Sequence, residues 1–472
     1  MTHWDSLYQN AYQRGLQKIQ ALDGIACAFH SVIDGIIRLT PEILDRVFAS
    51  KPELIEAAKA GHNGTLPEEI LTPADFICGL FYSLQKGRAL QRMIRSKETY
   101  EWALETFGSG ELRLGGTSAN MARSLVPLGI PTIIYANPLT TDLANLFGEF
   151  ENLKVITKAG DGFALQTPQE AAREDGVFAI HWILEYTAEF TYDLDGTRVQ
   201  PGRANRYIPS WNPRNNQFRM DPDFREGFFT LTDSINYLLF SGFHILSEAY
   251  PDGSTCEDVI RPLSDFLQQV RRDAPHIKIH LEMACIGSAT VRQAMLDHIF
   301  PYIHSAGMNE TELPLLCDTL RHDCDFPSIP DDPGILDYTA SIAHLMDSTG
   351  LNRVHFHNLG YYLCIEKEPW ETREDTRDAL LFAAIMAASR AKNGPFSSID
   401  DIQIGLQQHY DEKGLKMVEA LANEMNQPSL AQTGIGNYGE YSFVLIPSKF
   451  VQDPIFTVGL GDTISSGALL TE

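Results

Sequence analysis

Short apolar runs of strand length alternate with longer stretches of helical spacing along most of this chain. Residues 24–37 (GIACAFHSVIDGII) are rich in apolar and β-branched side chains and predict an opening strand that ends near Asp34, with a helix returning over 40–60. A helical stretch at 85–107 precedes ELRLGGTSANMARSLVPLG, which reads as strand, Gly-Gly turn and helix. PTIIYANP (131–138) and LKVITKA (153–159) are short strands divided by a helix. FAIHWILEYTAEFTYDLDG (178–196) alternates roughly as a strand does and runs into the turn-rich stretch PGRANRYIPSWNPRNN, which suits a β-rich lid better than a core sheet.

From 227 onward the strand-helix rhythm resumes: YLLFSGFHIL, a helix at 257–272, KIHLEMA, a helix at 288–297, and YIHSAGMNETEL. RVHFHNLGYYLCI follows as a strand and turn, then a long helix at 371–393, YSFVLIPSKFV and the closing VGLGDTISSGALL. This order predicts an α/β fold with a mostly parallel central sheet. No internal repeat or low-complexity tract interrupts it. Polar residues follow several of the apolar runs directly, and an open α/β sheet binds its ligands at the carboxyl ends of its strands.

Composition narrows the class. At 472 residues, with 44% hydrophobic and 21% charged positions, the chain can bury a large core without metal or disulfide help. A net charge of -25 argues against a nucleic-acid partner and requires any anionic substrate to meet a local basic pocket. Seven scattered cysteines read as reduced thiols. Cys317, His322 and Cys324 match no common zinc spacing. The polar start MTHWDSLYQNAYQRG and an apolar run of only 13 residues, ALLFAAIMAASRA, predict a cytoplasmic protein without a membrane partner.

Chemistry concentrates in a few segments. Gly459, Leu460 and Gly461 precede Asp462 between a strand, FTV, and a helix-compatible run, ISSGALL. Glycines expose backbone N-H groups and a helix start adds a positive dipole end, so the turn suits an anion with Asp462 beside it as a proton acceptor. Taken alone, it describes a plain strand-to-helix turn with Asp as N-cap better than a reactive site. Gly115 and Gly116, with Thr117, Ser118 and Asn120 behind them, form a second such turn, where backbone and short polar side chains can meet hydroxyl groups or simply cap a helix.

Two acidic segments, His280-Leu-Glu282 and Asn309-Glu-Thr-Glu312, sit at strand ends. Mg2+ beside phosphates prefers oxygen ligands from one or two carboxylates, which Glu282 and Glu312 can supply jointly; each alone also fits an ordinary capping or exposed glutamate. His355 and His357 share a strand face, which suits packing near a nucleotide or, with His280, a hydrolytic metal site. Arg203, Asn205 and Arg206 concentrate forked donors in an acidic protein, for an anion or for a solvated lid.

Together these segments resemble the ADP-dependent glucokinase/phosphofructokinase family of the ribokinase-like superfamily. GGTSANMARSL, IHWILEY, GRANRYI, LLFSGFHIL, IHLEMA, GMNETEL, VHFHNLGYYL and TVGLGDTISSGA stand in the family's order over roughly 24–470. The resemblance implies a three-layer α/β sandwich with a mostly parallel sheet and a smaller β-containing lid. It implies transfer of the β-phosphoryl group of ADP to a sugar, with Mg2+ and release of AMP. Small-molecule sugar and nucleotide are then the partners. The expected division is a large nucleotide-binding domain over 1–75, 113–180 and 223–472, with a lid over 76–112 and 181–222.

Position by position, Asp462 resembles the catalytic base, with Gly459, Leu460 and Gly461 as its anion hole. Glu282 and Glu312, supported by His280 and Asn309, match the Mg2+ motifs, and His357 lies in the nucleotide region. Gly115, Gly116 and Thr117 match the sugar-side turn, Asp34 a hydroxyl-binding aspartate, and Arg203 and Arg206 phosphate-facing arginines. Two departures alter sugar recognition: His30 and Val32 replace the asparagines of the family's N-x-N-x-D, and Thr117 stands where Gln or Asn is usual. EYTAEF brings no cation for a sugar 6-phosphate, which leaves Arg203, Arg206 and Arg214. The expectation leans to a glucose-like acceptor over fructose 6-phosphate. The rivals are a metal-dependent hydrolase and a non-catalytic sugar or nucleotide binder.

Overall fold

Short apolar strands of this kind hold a sheet only when both of its faces are covered, and that is how the centre of the molecule is built. A computed structural model describes residues 3–173, 179–212, 218, 220–321, 329–330 and 333–471. Arg214, His322 and Cys324 lie outside these residues. The strand Ile25–Ala28 is wholly buried and pairs in parallel with Tyr237–Phe240 on one side and Thr132–Ile134 on the other. From Tyr237–Phe240 the parallel run continues through Lys278–Glu282, Ser305–Asn309 and Arg353–Asn358, and from Thr132–Ile134 to Leu153–Ala159. Antiparallel strands close both edges: Tyr361–Glu366, Tyr441–Pro447 and Ile435–Tyr438 at one, Gly162–Gln166 at the other. The result is an 11-stranded, mostly parallel sheet with helices packed on it.

A second sheet of five strands runs in the order Leu90–Met93, Asn205–Trp211, Ile180–Tyr186, Val32–Arg38 and Glu111–Gly115. Side chains alternate across it. Ile37, Trp182, Leu184 and Tyr207 enter a separate core with Phe76 and Phe81 of the helix Pro73–Lys86. Their neighbours Asp34, His181, Glu185 and Arg206, with Arg113 paired opposite Asp34, therefore line the other face.

The expected opening strand over 24–37 is two strands in two different sheets. Phe29 breaks the run with φ of 87°, a left-handed backbone that a non-glycine residue adopts only when its surroundings compel it. Its ring lies 5.6 Å from Tyr135 and 5.8 Å from Phe218, and the carbonyl of the next residue, His30, accepts the N-H groups of Ser118 and Ala119. The chain thus leaves the large sheet at its carboxyl edge and enters the small one within three residues. Residues 32–62 consequently belong with the smaller sheet: Val32–Arg38 pairs there, and Leu44, Val47 and Leu54 are buried in its core. The division expected at residue 76 does not coincide with that change of sheet.

The single helix expected over 40–60 is two, Pro41–Ser50 and Leu54–His62, and the stretch 85–107 contains the strand Leu90–Met93 before the helix Lys97–Phe107. Six cysteines lie in the described residues, none of them in a disulfide. Among these residues no helix is long and apolar enough to cross a membrane.

Candidate active site

Parallel pairing brings the carboxyl ends of Ile25–Ala28, Lys278–Glu282, Ser305–Asn309 and Arg353–Asn358 to one edge, where the polar face of the small sheet also departs. The C-terminal helix Leu460–Gly467 starts at this edge from Gly459, whose φ of 70° is left-handed. A helix of this length leaves its first N-H groups without intrahelical acceptors, so Leu460, Gly461 and Asp462 present donors together with the positive end of the dipole. Asp462 is half-buried in that first turn. Burial raises its carboxyl to about 7, against the lowering pull of Arg390 and a hydrogen bond from the Asn120 side chain. A carboxylate so tuned can take a proton at neutral pH.

Glu282 is 3% exposed and Glu312 7%. Burial and the neighbouring Glu312 carboxylate push Glu282 well above the usual glutamate range, while Ser465 Oγ, one turn beyond Asp462, donates to its Oε2. Burial raises Glu312 to about 7, and the Asn309 backbone N-H holds it at 3.0 Å. Asn309 Oδ1 in turn accepts from the N-H groups of Thr311 (2.9 Å) and Glu312 (3.2 Å), so this pair caps the helix Glu312–Leu320 and also aims a carboxylate at Glu282. Gly307 makes the approach possible, since a Cβ there would stand 2.0 Å from Glu282 Oε2. Two buried carboxylates that repel each other, both hard oxygen donors, fit a divalent cation of the Mg2+ type.

His280 Nε2 lies 3.7 Å from Glu282 Oε2 and His357 Nε2 3.9 Å from Oε1. His357 also flanks the first turn of the C-terminal helix, with its Nε2 3.0 Å from the position of a Cβ on Gly461. Burial holds His280 at about 3, His357 at about 4 and His355 well below the ordinary imidazole value, so all three are neutral. Among the described residues, no three His, Cys, Asp or Glu side chains are arranged to hold a metal ion.

Asp34 and the Gly115-Gly116 turn meet on the side of the small sheet. Asp34 is buried and raised to about 7 by that burial, with Arg206 lowering it and Asp462 raising it, so the two aspartates share one electrostatic environment. A Cβ on Gly115 would lie 2.2 Å from Asp34 Oδ1, and one on Gly116 2.5 Å from the His30 carbonyl. Thr117 N-H donates to His30 Nδ1 at 3.1 Å, so His30 caps the helix Thr117–Leu125. His30 packs against His244 at 4.5 Å and His181 at 5.8 Å, and Asn212 Nδ2 pairs with His181 Nε2 at 2.9 Å. If Asp34 binds a sugar hydroxyl, as the resemblance implies, Gly115→Ala displaces it and is expected to raise the sugar KM about tenfold or more, with the nucleotide KM unchanged. Steady-state kinetics in each substrate checks this.

Arg206 lies on the small sheet's polar face within the field of Asp34, whereas Arg203 stands apart, its Nε donating 2.8 Å to the Gly87 carbonyl at the end of the helix Pro73–Lys86. Sequence reasoning missed Arg390 and Ser465 and gave Asn120 no specific role. Arg390 Nη2 donates 2.8 Å to Asn120 Oδ1, and Nη1 donates to Ser124 Oγ (3.0 Å) and Thr463 Oγ1 (3.1 Å). An arginine inside the otherwise apolar ALLFAAIMAASRA is the signal that marks it.

A family model described as the ADP-specific Phosphofructokinase/Glucokinase conserved region matches residues 23–471. The chain is 29% identical over 480 residues to an ADP-specific phosphofructokinase of Methanosarcina acetivorans, covering 99% of this chain and 96% of the relative. It is 31% identical over 480 residues to an ADP-dependent glucose/glucosamine kinase of Pyrococcus abyssi, covering 99% and 98%. Among solved structures, the last common ancestor of ADP-dependent phosphofructokinases from Methanosarcinales is similar with a TM-score of 0.84 at 28% identity, covering 100% of this chain and 98% of that one. An ADP-dependent kinase complex with fructose-6-phosphate and ADPbetaS gives the same TM-score at 27% identity, with the same coverage.

Proposed function

The chain belongs to the ADP-specific phosphofructokinase/glucokinase family, and from that premise we propose that its site moves the β-phosphoryl group of ADP to a hydroxyl of an uncharged, glucose-like hexose. The fold is of the ribokinase-like α/β class, and the protein is an ADP-dependent sugar kinase. The observation that carries the site assignment is the meeting of Asp462, Glu282 and Glu312 at one helix start, each with a raised carboxyl.

The acceptor hydroxyl, held by Asp34 and the Gly115-Gly116 turn, attacks the β-phosphorus. Its proton passes to Asp462, the bond from the β-phosphorus to the bridging oxygen breaks, and AMP leaves with that oxygen. The N-H groups of Leu460, Gly461 and Asp462 hold the charge that develops on the transferred group. Glu282 and Glu312 would hold Mg2+ through water, which supplies neutralisation of the ADP phosphates. Arg206, on the face opposite, contributes a forked donor to phosphate. Closure of the small sheet over the acceptor excludes water, the competing nucleophile.

The preference for an uncharged acceptor rests on the three histidines beside Asp34, because the two cations of that face are otherwise engaged, Arg113 with Glu111 at 2.9 Å and Arg206 with the ADP phosphate in this reading. Burial lowers His30 well below the ordinary value, His181 to about 3 and His244 to about 4, so they offer hydrogen bonds and no cation. Incubation with Mg2+ and either ADP or ATP, against glucose, other hexoses and fructose 6-phosphate, tests the proposal by AMP and ADP formation. The expected result is AMP formation with glucose at a kcat/KM about tenfold or more above that with fructose 6-phosphate. The reverse order overturns the acceptor, and turnover of ATP in place of ADP overturns the donor.

A further inference from the structure

Arg390 has no part in the transfer described above, yet it lies directly behind the base. It is 2% exposed and, among the described residues, makes no ion pair, an arrangement that is costly unless other groups compensate the charge. Its donors go to neutral oxygens: Asn120 Oδ1, Ser124 Oγ and Thr463 Oγ1, with Ser124 and Thr463 hydroxyls tied to each other at 2.9 Å. Because Asn120 Oδ1 is occupied by Arg390, the amide nitrogen is left to face the other way, and the Asn120 side chain hydrogen-bonds the Asp462 carboxylate. Gly459 completes the fit. A Cβ on it would lie 2.8 Å from Arg390 Nη2 and 2.9 Å from Asn120 Cγ, so the guanidinium and amide pack against the backbone that opens the anion hole.

We propose that Arg390 is a positioning residue which, through Asn120, fixes the orientation of the Asp462 carboxylate at the start of the C-terminal helix. The chain of contacts runs from the long helix Arg373–Asn393, through the helix Thr117–Leu125 that begins beside Asp34, to the helix carrying the base. An asparagine amide alone can present either its oxygen or its nitrogen to Asp462. The Arg390 fork selects the nitrogen, so the carboxylate meets a donor and keeps its second oxygen for the acceptor proton.

This inference rests on the reading of Asp462 as the base, and the test separates the two. Steady-state kinetics are measured for Asn120→Ala, Arg390→Met, the double variant and Arg390→Lys, with Asp462→Asn alongside. Asn120→Ala and Arg390→Met are each expected to lower kcat about 10- to 100-fold with both KM values within about threefold. The double variant falls no further than the worse single one, because both act through one path, and Arg390→Lys recovers part of the loss. An Asn120→Ala enzyme with wild-type kcat, losses that multiply in the double variant, or an effect confined to KM overturns the proposal. Should Arg390→Met lack a cooperative thermal transition, Asn120→Ala and Arg390→Lys decide the matter on the same criteria. A fully active Asp462→Asn enzyme overturns the base assignment itself; an inactive one beside an unaffected Asn120→Ala enzyme overturns the relay alone.

Discussion

Asp462→Asn lowers kcat by about 10²–10⁴-fold while leaving the fold and both KM values near wild type, the loss expected when general-base help is removed from a site that still binds its substrates. The amide keeps the shape of the side chain at the start of the helix and its hydrogen bond with Asn120, but it cannot accept the hydroxyl proton. A second signature accompanies the loss. In the wild-type enzyme the carboxyls of Asp462 and Glu312 stand raised to about 7, so both are ionised above that pH and increasingly protonated below it. Activity is therefore present on the alkaline side and falls as pH drops through about 7. Rate profiles of wild type and variant across this range test the assignment: comparable turnover in Asp462→Asn at high pH would contradict it.

Glu282→Gln separates catalysis from stability in opposite directions. Glu282 is buried beside Glu312, and its ionised form is disfavoured by lost solvation and by the second carboxylate. Its folded pKa lies above the unfolded value, so as pH rises through that folded value the native state is progressively penalised for the charge it carries. Glutamine fits the same space, still accepts from Ser465, and carries no charge. The variant is expected to show a thermal midpoint equal to or above wild type in the absence of divalent cations, with the difference growing as pH rises from the ordinary glutamate range through the raised folded value and level beyond it. Its kcat should fall about 10²–10³-fold, the equivalent of several kcal/mol of charge stabilisation at the phosphates. Thermal scans with and without Mg2+, together with kinetics at saturating Mg2+, check both parts. A destabilised but fully active variant would make Glu282 a structural residue.

The candidate groups of this site were legible in the sequence because they lie at strand ends within short local patterns. Asp462 follows a glycine turn, and Glu282 and Asn309 close the apolar strands KIHLE and SAGMN, so each stood out as a candidate, and only their joint occurrence in the family's order separated them from ordinary turn and cap residues. Arg390, Ser465 and Gly307 were not, because their roles arise from approaches between segments remote in the chain. Gly307 matters through the 2.0 Å that a Cβ would leave to Glu282, and Arg390 through Asn120, 270 positions away. A helix buried along nearly all its faces also gives no amphipathic pattern from which an inward arginine can be read.

The fold was legible to the same extent and for the same reason. Alternation of apolar strands and helices sufficed for the α/β sheet, but 24–37 is one continuous apolar run whose two halves enter different sheets. The break at Phe29 depends on tertiary packing around its ring and on the seat that the His30 carbonyl provides for the helix Thr117–Leu125. Arg203 shows the converse. Its place beside Arg206 in GRANRYI suggested a phosphate contact, and no local pattern foretold that its Nε donates to the Gly87 carbonyl.

The most direct test of the central claim follows purified protein, Mg2+, ADP and glucose over time and counts AMP against phosphorylated sugar in wild type and in Asp462→Asn. One AMP per sugar phosphate in the wild type, with both products lost together in the variant, is the predicted result. Release of phosphate from ADP without a phosphorylated acceptor, or equal product formation by the variant, would contradict it.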